Sequence, residues 1–194
     1  MPSISPCALG RATLARQLLL ERSTLAPLDA VEQLAGLQAQ TPQSWYTGLW
    51  TRLLDFDAAA FGRLLEDRAV VRIALMRSTI HLVSARDALA FRPLVQPVIE
   101  RSTRGSFARQ WAGLDLDAVA AAGRGLMEAQ PMTFAELGRA LQERWPEHNR
   151  LALGQAARSA WRWHRSRPAG CVSAAARSAT PPSRRGWGGP SMGR

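Results

Sequence analysis

Apolar residues recur at helical spacing through most of the chain, and the period changes once. Residues 9–22 place Leu14, Leu18 and Leu19 on one side and predict a first helix. Over residues 28–38, Leu28, Val31, Leu34 and Ala35 make a second apolar stripe, and Asp29 with Glu32 reads as a start signal of the capping-box type. Gln38 falls seven residues after Val31, where another aliphatic is expected. Pro42 biases Thr41 away from helical angles, so this helix is expected to end near Gln38 to Gln40. A third amphipathic segment spans residues 45–54, with Trp45, Leu49, Trp50 and Leu53 on its apolar side. Asp57 is placed to cap a fourth over residues 58–67, with Phe61, Leu64 and Leu65 inward.

The period then shortens. Residues 69–76 and 79–83 are β-branched and partly alternating, with Arg77-Ser78 between them, and predict a two-stranded hairpin. Helices followed by a hairpin is the order of a winged helix, a helix-turn-helix domain with a β wing. Ser84 and Asp87 open another helix, expected to break at Pro93 and Pro97. Residues 101–113, with three arginines and two glycines, read as a linker or an exposed basic loop. Helical spacing resumes over 116–129. Thr133 with Glu136 forms a capping box ahead of Leu137, Leu141 and Trp145, and Asn149 caps a helix over 150–160. The expected fold is mainly α with a small β-hairpin. A first winged-helix domain spans 1–100, a linker 101–114, the start of a second tandem winged-helix unit 115–160, and a basic tail 161–194.

Charge alters this picture less than its size suggests. The chain of 194 residues carries a net +10, and all 25 basic residues are arginine. Residues 1–154 hold 17 arginines against 15 acids, whereas residues 155–194 hold eight arginines and no acid. The basicity therefore belongs mostly to the tail, and the pI alone implies nothing about nucleic-acid binding by the folded part. The tail is either disordered or a stretch of GC-rich sequence read out of frame, which yields the same Arg/Ala/Pro/Gly/Ser mixture. There is no apolar run of membrane-spanning length and no signal-peptide core, which implies a cytoplasmic location. Cys7 and Cys171, and the three histidines His81, His148 and His164, lack ligand spacing, so no metal and no cofactor is expected.

The candidate chemistry centres on Gln38-Ala39-Gln40. Residues i and i+2 diverge on a helix but share a side once the chain is extended, so two amides converge only where the helix ends. A glutamine on an apolar stripe needs hydrogen-bond partners or a polar cleft, and a helix-capping or satisfied amide is the plainer alternative. Arg72 and Arg77 flank the hairpin as phosphate contacts or as solvated charges, and His81 sits mid-strand as a packed or hydrogen-bonded residue. Trp45, Tyr46 and Trp50 are expected in the core, with base stacking as the alternative.

Ala30-Val-Glu-Gln-Leu-Ala-Gly-Leu-Gln-Ala-Gln40, Tyr46-Thr-Gly-Leu-Trp50 and Leu75-Met-Arg-Ser-Thr-Ile-His-Leu-Val83 together resemble the bacterial winged-helix DNA glycosylase family of AlkZ and YcaQ. The resemblance covers roughly residues 9–160 and is most specific in the first unit. It implies tandem winged-helix units and a substrate of duplex DNA that is alkylated or crosslinked. The implied activity is excision of N-alkylated purines or crosslink unhooking. It also implies a catalytic pair at Gln38 and Gln40, matching the family's Gln-x-Gln motif, with Arg72, Arg77 and His81 toward DNA. The rival readings are a non-enzymatic winged-helix regulator and an inactive fragment.

Overall fold

The computed structural model describes residues 4–159. The expectations for a tail beyond residue 160 lie outside the described residues. Helix α1 (Pro6–Arg16) starts where the Ser5 hydroxyl accepts the Ala8 N–H. It ends well short of residue 22, because the chain leaves helical angles at Leu18, whose φ is +53°. No α1 residue is buried, and Leu14 and Leu19, expected inward, are exposed. Only Leu18 of the three packs on the first core.

Helix α2 (Pro27–Gln33) starts one residue earlier than its apolar stripe predicts and ends five residues sooner. Pro27 occupies the first helical position, and Asp29 makes no cap. At the other end, the Gly36 N–H donates to Val31 O (2.9 Å) and the Ala35 N–H to Glu32 O (2.9 Å). This crossed pair is a Schellman ending, with Ala35 in the left-handed position at φ +52°. The helix therefore stops five residues before Gln38. Gln38 lies instead in strand β1 (Leu37–Gln38). The expected ending near Gln38 to Gln40 is corrected accordingly.

Helix α3 (Ser44–Trp50) buries Trp45, Tyr46 and Leu49, while Trp50 is 42% exposed with Arg22 over its ring at 4.4 Å. Helix α4 (Ala58–Glu66) begins at Asp57, whose carboxylate accepts the Ala59 and Ala60 N–H groups. The hairpin forms where expected: β2 (Val70–Ala74) pairs antiparallel with β3 (Ile80–Ser84), and Arg77 and Ser78 take left-handed angles at its tip. β1 adds to the outer side of β3, giving the sheet order β1-β3-β2. One sheet face, with Leu37, Val70 and Leu82, packs on α2, α3 and α4 around Tyr46 and Phe61. The other, with Val71, Ile73 and Val83, packs against the start of α5 (Ala85–Phe107).

The Ser84 hydroxyl caps α5 through the Asp87 N–H. The helix is not broken at Pro93 or Pro97. Each proline removes one N–H and leaves the carbonyl four residues earlier without its helical donor. Both prolines are exposed, so the two bonds are lost on the solvent side of the helix, where an unpaired carbonyl costs least. The expected linker is likewise helical through residue 107; its polar composition is that of a solvated helix face. A second lobe follows with α6 (Leu116–Ala129), α7 (Phe134–Arg144) and α8 (Arg150–Ser159). The Thr133–Glu136 capping box and the Asn149 cap are both formed. Trp111, Val119, Leu137, Leu141 and Leu153 make its core, and the Trp111 indole N–H donates to Ala152 O at 2.9 Å.

Candidate functional site

Once α2 has ended, Gly36 (φ +98°) turns the chain onto β3. β1 then runs along it, and its pairing reaches as far as Ala39: Leu37 lies opposite Leu82, Gln38 opposite His81, and the Ala39 N–H donates to Ile80 O at 2.8 Å. The alternation of an extended chain decides the rest. Ala39 is fully buried in the first core, and Gln38 and Gln40 on either side of it are exposed. The two amides thus leave one side of the chain, their Cα atoms about 7 Å apart at the usual rise per residue. The geometry expected of a helix end arises on an edge strand instead.

The two glutamines are not equivalent. Gln40 Oε1 accepts the Ile80 N–H at 3.0 Å, which fixes its amide orientation, because only the oxygen accepts. Its outward group is therefore an NH2 donor. No described residue hydrogen-bonds the Gln38 amide, so it presents both a donor and an acceptor. His81 sits directly across the ladder from Gln38, on the same sheet face, and is 9% exposed. Its Nδ1 is 3.1 Å from Thr79 O, and a carbonyl only accepts, so Nδ1 carries the proton and Nε2 faces away from that bond.

Arg72, on the far edge strand, shares the helix-side face with Leu82. Its side chain reaches across β3, and Nε donates to Ala39 O at 2.9 Å. One terminal nitrogen lies 3.3 Å from Gln40 O, and the guanidinium sits 5.7 Å from the Trp45 ring centre. Burial pushes its pKa below the ordinary arginine value. Of the residues singled out in the sequence, Gln38, Gln40, His81 and Arg72 are brought together around three strands. Arg77 stands apart, exposed at the hairpin tip. Trp45 and Tyr46 are core, and burial raises the Tyr46 hydroxyl pKa. Sequence reasoning did not single out Gly36, although an Ala-Gly step interrupting an apolar stripe is a helix-ending signal.

A site of two amides, with no carboxylate in its hydrogen-bond network among the described residues, is suited to orienting water and polar groups rather than to acid catalysis. No curated protein matches the chain. Among solved structures, the Streptomyces sahachiroi DNA glycosylase AlkZ is similar, with a TM-score of 0.54 and 20% identity over 75% of this chain. The chain spans 42% of the length of that structure. The family model for the DNA glycosylase AlkZ-like family matches residues 31–192, running past residue 160, where the resemblance was expected to stop. The chain belongs to the AlkZ-like DNA glycosylase family.

Proposed function

We propose that this chain excises N-alkylated purines from duplex DNA as a monofunctional glycosylase, with Gln38 and Gln40 as its catalytic pair. The observation that carries the reading is the placement of the two amides on one open side of an extended segment, with Ala39 buried between them. A purine alkylated at N7 or N3 is cationic and leaves without an acid. The C1′–N bond breaks, water supplies the oxygen bonded to C1′, its proton passes to solvent, and the base departs neutral. What the protein adds is a placed water and dipoles that stabilise the developing positive sugar. Gln38, free to accept, takes a water hydrogen and turns its negative carbonyl end toward C1′. Gln40, its oxygen held by Ile80, offers only N–H donors, which hold the water from its other side or grip a flanking phosphate. Crosslinked duplex is a second substrate class for a site this open, provided the target nucleotide is exposed. Such an enzyme works in the cytoplasm, where the chromosome of a bacterium lies.

The order α2–β1–α3–α4–β2–β3, with β1 beside β3, supports a winged-helix reading of the first unit. In this reading residues 1–100 form the first unit, and α6, α7 and α8 open a second. Arg77 at the wing tip contacts phosphate and His81 lies beneath it. A sequence-reading regulator is disfavoured by α4, the helix such a domain inserts into the major groove. Its exposed side and flanks carry Asp57, Glu66 and Asp67 against Arg63 and Arg68, a poor match for a polyanion.

The test is incubation of the chain with methylated duplex, followed by quantification of free N7-methylguanine. Release above the spontaneous rate is expected. Salt-dependent duplex binding without any release would overturn the proposal in favour of the regulator.

A further inference from the structure

In a regular antiparallel ladder, the residue whose N–H reaches Ile80 O also receives the Ile80 N–H on its own carbonyl. Ala39 makes the first of these bonds (2.8 Å) but not the second. The Ile80 N–H goes to Gln40 Oε1 (3.0 Å), and Ala39 O takes Arg72 Nε (2.9 Å) in its place. The two replacements are complementary: one carbonyl leaves the ladder, and one side chain enters it. Arg72 is suited to this exchange. It comes from the opposite edge strand, its guanidinium spans the carbonyls of Ala39 and Gln40, and its plane lies near the Trp45 ring, which restricts its rotamers. No carboxylate pairs with it among the described ion pairs, so the two carbonyl dipoles answer its charge.

We infer that Arg72 is a positioning residue for the glutamine pair and not a phosphate contact. By holding Ala39 O off the ladder, it leaves the Ile80 N–H for the Gln40 side chain and so sets the outward direction of the Gln40 amide. Without it, the Ala39 carbonyl closes the regular ladder bond, and Gln40 is released to solvent. The inference rests on the proposed role of the pair in base excision. Its structural half is independent of that role.

The experiment combines Arg72→Met, Arg72→Lys and Gln40→Ala in a cycle, read by single-turnover base release, duplex Kd over a salt series, and the NMR signal of the Gln40 side-chain amide. Misplacement of a reacting group by about 1 Å lowers rate about 10²-fold. Arg72→Met is expected to lose about that much, with Kd within about twofold of the parent and an unchanged salt slope. In the Gln40→Ala background it should cause no further loss, because it acts through Gln40. Arg72→Lys, a single ammonium able to hold one carbonyl, should fall between the two, and it serves if Arg72→Met does not fold. Additive losses overturn the inference, as does a salt slope lowered by about one, the mark of a lost phosphate contact. Should the parent chain release no base, the glycosylase reading fails by itself. The Gln40 signal then decides: sharpened and shifted to a solvent-averaged position in the Arg72 variants supports the inference, and an unchanged signal overturns it.

Discussion

Substituting Gly36 by alanine tests the physical basis of the site, because this residue converts the end of α2 into the strand that bears both glutamines. Its φ of +98° is strained for any residue with a Cβ, at about 1–2 kcal/mol. The added carbon would overlap Val83 Cγ1 and lie 2.8 Å from Leu82 O. The Val83 methyl is able to rotate, but the Leu82 carbonyl belongs to the middle strand of the sheet. Relieving that overlap moves β1 away from β3, and overpacking of this kind costs about 1–3 kcal/mol. The sum, about 2–5 kcal/mol, is a large share of a small protein's total stability of about 5–15 kcal/mol. With a urea slope of about 1–3 kcal/mol/M, the midpoint of unfolding followed by far-UV circular dichroism should fall by about 1 M or more. The neighbouring residue gives an internal control. Ala35 already carries left-handed strain at φ +52°, so Ala35→Gly should hold or raise the midpoint. A Gly36→Ala midpoint within about 0.3 M of the parent, or a fall for Ala35→Gly, would refute the account of this turn.

Other outcomes follow from named contacts. Gln38→Ala should leave stability within about 0.5 kcal/mol of the parent, whereas Gln40→Ala, which frees the Ile80 N–H, should cost about 1 kcal/mol in the same urea assay. Gly138→Ala lies in a helix, where the change ordinarily stabilises by about 1 kcal/mol. Here the new carbon would meet Arg150 O at 2.6 Å, so the sign should reverse and the second lobe should melt earlier. Tyr46 is the chain's single tyrosine, so its absorbance at alkaline pH reports one group. Burial raises its pKa, so stability is fully present below the ordinary value near 10 and is lost as pH climbs through the raised one. The phenolate should appear later in the titration than for free tyrosine, and together with unfolding.

Much of this fold is legible in the sequence because the signals are local. Asp57, Ser84, Thr133 with Glu136, and Asn149 cap helices through their own side chains, and each cap is found where the residues announce it. The hairpin declares itself by alternation over 69–83. The misses come from rules that tertiary packing overrides. Pro93 and Pro97 end a helix only when the lost bonds matter, and both lie at solvent-facing positions of α5, where an unpaired carbonyl costs little. The apolar stripe through Leu34 and Ala35 ran on to Gln38 by spacing alone, while the Schellman ending at Ala35-Gly36 had already turned the chain. That Gln38 and Gln40 are both exposed around a buried Ala39 follows from the i, i+2 relation of a non-helical chain, whichever element carries it. The bond from Arg72 to Ala39 O spans 33 residues, and no local pattern encodes it.

The central claim is that the exposed amides of Gln38 and Gln40 perform base excision. The most direct measurement is single-turnover release of N7-methylguanine from a methylated duplex by the parent, Gln38→Ala and Gln40→Ala chains, each verified as folded and saturated with DNA. The account predicts loss of most of the rate enhancement in both variants, about 10²–10³-fold for removal of one oriented dipole, with duplex Kd little changed. Release that survives both substitutions at the parent's rate would contradict it.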